Sequence, residues 1–262
     1  MTDSEAIPPV SLHSSAFFFD LDGTLAAIEK RPEWVSIPDN IKQALAVIFS
    51  ATGGALALIS GRPLSELDAL TAPLSCPAAG VHGAERRDAT GKIHRIELSP
   101  TLISAVGSEL RRALTAFPGC HVEEKGMAYA LHYRQAERFK DQIEALSMSL
   151  LQRYPELAIQ PGKCVFELKP RGADKGAAID AFMHERPFVG KTPLFIGDDL
   201  TDEAGFECVN ALGGLSIKVG PGKTAARFRL DGVDKVHLWL VSLAKQQENH
   251  SIKTIISVGE DL

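Results

Sequence analysis

The sequence has little of what marks a specialised setting. Only four cysteines, Cys76, Cys120, Cys164 and Cys208, occur in 262 residues, and no two form a Cys-x-x-Cys pair. That spacing argues against a zinc site, and each cysteine lies in an apolar stretch, so reduced thiols serving as small core residues are expected. They sit 44 residues apart, but their flanking sequences do not recur, so no internal repeat is present. No apolar run approaches the length of a membrane span. The first residues, MTDSEAIPPV, lack the basic start and apolar stretch of an export signal, so a cytoplasmic protein is expected. Positive charge is also in short supply: 28 Lys and Arg against 33 Asp and Glu give a net charge of −5. A nucleic acid is therefore not the expected partner. The expectation is a monomer acting on a small molecule, without nucleic acid or membrane.

What is present is an ordinary globular composition, 45% hydrophobic and 23% charged, with enough chain for a large core or a core carrying an insert. Residues 16–22, AFFFDLD, read as a buried strand ending in acids. A helix follows from Pro38 with Ile41, Leu45, Ile48 and Phe49 on one face, then a strand at 55–60 and a helix from Pro63. Helix and strand alternate again from 174 to 246. Unbroken apolar strands in this rhythm predict an α/β fold, a Rossmann-like parallel sheet with helices on both faces. Between the halves, helix, strand pair, helix and strand pair predict an inserted α+β module. The expected division is a core of 1–96 and 170–262 and a cap of 97–169, with the C-terminal stretch from His250 loosely held.

Four pieces carry chemistry: Asp20-Leu21-Asp22-Gly23-Thr24, Ser60, Lys175 and Gly197-Asp198-Asp199. Each falls at a strand end or helix start, where ligands of parallel sheets bind. Phosphate monoesters resist hydrolysis, so an enzyme must neutralise the phosphoryl oxygens and supply an in-line nucleophile. Asp20 is the candidate nucleophile, since a carboxylate can form a labile acyl phosphate. Asp22, two residues on and pointing the same way along a strand, is the candidate general acid and base. Gly23 would let the backbone turn and present N–H groups to the anion, with Thr24 beside it. Ser60 would donate a hydrogen bond, and Lys175 would add a positive charge at a helix start. A hard cation, Mg²⁺, is expected on Asp20, Asp198 and the carbonyl of Asp22.

DLDGTL at 20–25, Ser60, Lys175 and GDDLTDE at 197–203 resemble the four motifs of the haloacid dehalogenase superfamily. That resemblance implies the same fold, an aspartyl phosphate and Mg²⁺. The insert narrows the substrate. In 122–134, Met127, Tyr129, Leu131 and Tyr133 alternate with Ala128, Ala130, His132 and Arg134. In 163–169, Cys164, Phe166 and Leu168 alternate with Lys163 and Glu167. One face should pack on helices, and the other should show acids and bases over small alanines. Sugar hydroxyls need such partners, although a merely solvated sheet face reads the same way. Alternation favours Glu123 over Glu124 for this face, in phase with Lys125.

ISGR (59–62), GVHGAERR (80–87), Glu123-x-Lys125-x₆-HYR, Lys163-x₃-Glu167, KPRGADKG (169–176) and GDDLTDE together resemble the bacterial trehalose-6-phosphate phosphatases, from about Phe17 to about Ala226. The resemblance implies that Glu123, Lys125, Lys163 and Glu167 hold sugar hydroxyls. Arg62, His82, Glu85, His132 and Arg134 also match its motifs. Of these, Arg62, His82, His132 and Arg134 join the expected substrate-binding set, as does Asp202. The alternatives are a phosphatase or phosphomutase for another sugar phosphate, and a non-catalytic phosphosugar-binding protein. A mutase would need a bisphosphorylated activator. A binding protein would be expected to have lost Asp20 or Asp22, and both are present.

Overall fold

The structure, a computed structural model, describes residues 6–96, 98–162 and 164–259, of which 248–259 are described in backbone only. The elements run β1 (Ser15–Phe19), α1 (Asp39–Ala51), β2 (Leu56–Ile59), α2 (Leu64–Thr71), β3 (Ala78–Gly80), β4 (Glu85–Arg87), β5 (Ile93–Arg95), α3 (Pro100–Leu114), β6 (His121–Glu124), β7 (Tyr129–His132), α4 (Lys140–Arg153), β8 (Leu157–Gly162), β9 (Val165–Pro170), α5 (Lys175–Met183), β10 (Thr192–Gly197), α6 (Glu203–Ala211), β11 (Leu215–Val219), β12 (Phe228–Leu230) and α7 (Val233–Gly259).

Eight strands form one sheet in the order β12-β11-β10-β1-β2-β3-β4-β5. It is parallel from β12 to β3 and antiparallel at β4 and β5. Three consecutive phenylalanines make β1 its centre. Phe17 and Phe19 pack with Ile41, Leu45 and Ile48 of α1 and Val236 and Leu240 of α7. Phe18 turns to the other face, against Ile179 and Phe182 of α5 and Phe206 of α6. With both faces covered, the strand can be apolar throughout, as a parallel sheet requires.

The insert has its own sheet, β6-β7-β9-β8, antiparallel at every step. Tyr129, Leu131, Tyr133, Phe166 and Leu168 face α3 and α4 and bury with Val106, Leu110, Ile143 and Leu150. Ser99 caps α3 by accepting from the Leu102 amide, and Pro100 opens that helix, where its missing N–H costs nothing.

Several expectations need correction. β1 ends at Phe19, so Asp20 and Asp22 lie in the following turn. β3, β4, β5 and β12 are additional strands of three residues each. Met127 precedes β7 and packs with Val81, Ala84 and Ala128, not with Tyr129. Among the described residues no helix is long and apolar enough to cross a membrane.

Candidate active site

The cleft between the large sheet's carboxyl edge and the open face of the small sheet has a volume of about 740 Å³. Asp20, Asp22, Ser60, Arg62, His82, Lys175 and Asp198 line it from the core. Glu123, Lys125, His132, Arg134 and Glu167 line it from the insert. Lys163 lies outside the described residues.

The core side is built around Lys175. As the first residue of α5, capped by Asp174, it reaches Asp20 Oδ1 at 2.7 Å and Asp202 Oδ1 at 2.6 Å. Burial disfavours its charge, but Asp20 and Asp202 outweigh that and raise its pKa. Burial also lifts the Asp20 carboxyl well above the usual range, against the pull of Lys175 and with the push of Asp202 and Asp198. Desolvation carries Asp198 up to about 7. Several acids crowd one ammonium, and their mutual repulsion adds to burial in raising the Asp20 and Asp198 pKa values.

Three carboxylates, Asp20, Asp198 and Asp202, each offer an oxygen within 4.8 Å of the others. Asp202 has little left to give: Oδ1 accepts from Lys175, and Oδ2 accepts from the Asp198 and Asp199 amides at 2.9 Å each. Asp198 Oδ1, by contrast, is buried without a hydrogen-bond partner. This all-oxygen set, with one orphaned lone pair and excess negative charge, fits a hard divalent cation. Gly23 is required for it: φ is 86°, and a Cβ there would fall 2.1 Å from Asp198 Oδ2.

Asp22 is held from the side. Arg62 grips it with a fork, Nε to Oδ2 at 2.7 Å and Nη2 to Oδ1 at 2.8 Å, while Nη1 holds Glu66 at 2.9 Å. Glu85 steadies the same region by accepting from the Leu64 amide at 2.7 Å, where α2 begins. Next to it, Val81 and His82 adopt left-handed backbone angles, φ 49° and 54°.

On the insert, strand register aligns Glu123, Ala130, Glu167 and Gln160 in one row across β6, β7, β9 and β8. Glu167 Oε1 accepts from Lys125 at 2.7 Å, and its Oε2 lies 2.5 Å from His82 Nε2. Burial opposes its ionisation, yet His82 and Lys125 hold its pKa well below the usual range. His132 Nε2 is 2.9 Å from Glu123, and that contact lowers the Glu123 pKa. Glu124 points the other way, to Arg111 of α3.

Three expected roles do not match their surroundings. Asp202 has no exposed surface, so it braces Lys175 and the Asp198 turn instead of meeting substrate. The Gly23 amide is engaged by the Ala26 carbonyl at 2.8 Å. Thr24 is fully buried, its hydroxyl unpartnered. Glu66, His121 and Gln160 line the cleft although sequence reasoning passed over them. Each had a signal: Glu66 lies one helical turn from Arg62, His121 is in phase with Glu123, and Gln160 pairs with Glu167.

Residues 18–234 match the trehalose-phosphatase family. The chain is 50% identical over 253 residues to the trehalose-6-phosphate phosphatase of Escherichia coli strain K12, covering 96% of this chain and 95% of that protein. The crystal structure of a trehalose-6-phosphate phosphatase related protein superimposes with a TM-score of 0.75 at 25% identity, over 90% of this chain and 99% of that one. A haloacid dehalogenase-like hydrolase from Bacteroides thetaiotaomicron shares the fold, with a TM-score of 0.65 at 16% identity over 87% of this chain and 99% of its own.

Proposed function

Because the chain belongs to the trehalose-phosphatase family, we propose that it hydrolyses trehalose 6-phosphate to trehalose and phosphate through an aspartyl phosphate on Asp20. The observation that carries this reading is that the Asp20–Lys175–Asp198 cluster and the Glu123–Glu167 row of the insert open onto one cleft.

Asp20 attacks phosphorus as the bond to the sugar oxygen breaks, and Asp22 gives that oxygen its proton. Asp22 then takes a proton from a water that attacks the phosphorus in turn, and Asp20 leaves as a carboxylate. Arg62 orients Asp22 through both of its oxygens. Lys175 and Ser60 hold phosphoryl oxygens, and Asp202 keeps Lys175 aimed. A divalent cation, Mg²⁺ by the hardness of the donors, would be held by Asp20, Asp198 and the Asp22 carbonyl, and would supply charge neutralisation on the phosphoryl group. The insert 97–169 serves as the cap, with Glu123, Lys125, Lys163, Glu167, His132 and Arg134 reading the sugar hydroxyls.

Cap variants test the substrate assignment. Glu123→Ala should lower kcat/KM on trehalose 6-phosphate by roughly 10–100-fold, the loss of one or two charged hydrogen bonds. The loss on p-nitrophenyl phosphate should be far smaller. Equal losses on both esters would show that the cap face is structural and does not read sugar.

A further inference from the structure

His82 is the core residue that reaches across to the cap. Its Nε2 lies 2.5 Å from Glu167 Oε2, while Lys125 holds the other oxygen of Glu167. The same edge of the ring also lies against the phosphate turn: a Cβ on Gly61 would sit 2.6 Å from His82 Nε2. The backbone is tied to that turn as well. The His82 amide donates to the Ser60 carbonyl at 2.9 Å and the Val81 amide to the Arg62 carbonyl at 3.0 Å. Both residues hold left-handed angles, costly for a β-branched valine. Such strain persists only where the surroundings enforce it, and it gathers at functional sites. Val81 also buries with Met127 and Ala128 of the insert, so the turn meets the cap through apolar contacts beside the polar one.

We propose that His82 is a positioning residue that locks the cap's Glu167 at a set spacing from the Ser60–Gly61 turn, so that sugar and phosphate are recognised as one unit. This rests on reading the cleft as a sugar-phosphate site. Glu167 cannot choose its own position: it stands on a strand of a separate sheet, and Lys125, its other partner, stands in the turn between β6 and β7 of that same sheet. His82 supplies the only side-chain tie to Glu167 from the core among the described contacts. The ring suits the task in its neutral form. Burial lowers its pKa, which favours the neutral ring, and Nε2 is the ring nitrogen that faces Glu167.

Steady-state kinetics on two esters test the lock. His82→Ala should lower kcat/KM on trehalose 6-phosphate by at least about tenfold more than on p-nitrophenyl phosphate, which has no sugar to align. His82→Gln, with an amide N–H near the Nε2 position, should recover most of the difference. In the double variant with Glu167→Gln, His82→Ala should add no more than about twofold, because both changes break one contact. Should His82→Ala not fold, His82→Asn takes its place: asparagine tolerates the left-handed backbone but is too short to reach Glu167. Equal losses on the two esters, or losses that multiply independently in the double variant, would overturn the proposal. If the unaltered enzyme releases phosphate from another sugar ester but not from trehalose 6-phosphate, the substrate assignment fails instead, and the same comparison on the accepted ester still tests the lock.

Discussion

Among single side chains, the acids around Lys175 divide by what their oxygens already hold. Asp198 keeps one oxygen unpartnered, whereas Asp202 has one on Lys175 and the other on two backbone amides. Asp202→Asn must turn an N–H₂ group toward either the ammonium or those amides, so it loses one set of bonds and leaves a buried charge less compensated. A cost of about 3 kcal/mol and a fall in kcat of at least about 100-fold are expected. Chemical denaturation and turnover measure both, and a variant within twofold of full activity would contradict the bracing role. Asp198 and Asp202 look alike in GDDLTDE, and only the fold of the turn between β10 and α6 separates them. Glu123 and Glu124 were separable in advance, because strand alternation alone sends one to the cleft and the other to α3.

At the level of elements, long apolar periods were legible and short irregular ones were not. β1, β2 and the centre of β10 are apolar runs, and α1 declares its inward face by spacing. β3, β4 and β5 have three residues each, too few for a period, and the GVHGAERR segment between and within them turns through left-handed angles. The alternation reads as one strand running on through the acids, but β1 ends at Phe19: the Asp20 amide still donates to the Ile196 carbonyl, and Asp22 bridges back to Ala26 instead of to a neighbouring strand. Strand alternation predicts a Met127–Tyr129–Leu131–Tyr133 face resting on two helices; Tyr129, Leu131 and Tyr133 lie there without Met127, and Leu131 is fully buried. Leu131→Ala should therefore cost about 2–5 kcal/mol in denaturant unfolding. A loss below about 1 kcal/mol would mean that this face is not the core of the insert.

Over the whole molecule, the two halves meet at a buried negative cluster, which ties stability to pH and to metal. The Asp198 carboxyl is raised from its usual 3.8 to about 7, chiefly by burial. A folded-state pKa above the unfolded one favours the protonated native form. In the metal-free protein its contribution is full below about pH 4 and is lost as pH rises through about 7. A divalent ion held by the ionised carboxylates would reverse that loss. Millimolar Mg²⁺ should raise the melting temperature by several degrees near pH 8 and by much less near pH 5; equal gains at both would contradict a cation site on these acids. The proposed hydrolysis depends on Asp20 attacking phosphorus. Rapid acid quench during turnover of substrate labelled in its phosphate measures this most directly. The unaltered enzyme should carry label that resists denaturation and is released by mild base, and Asp20→Asn should carry none while turning over at least about a thousandfold more slowly. Label appearing at the same level on Asp20→Asn, with turnover largely preserved, would contradict it.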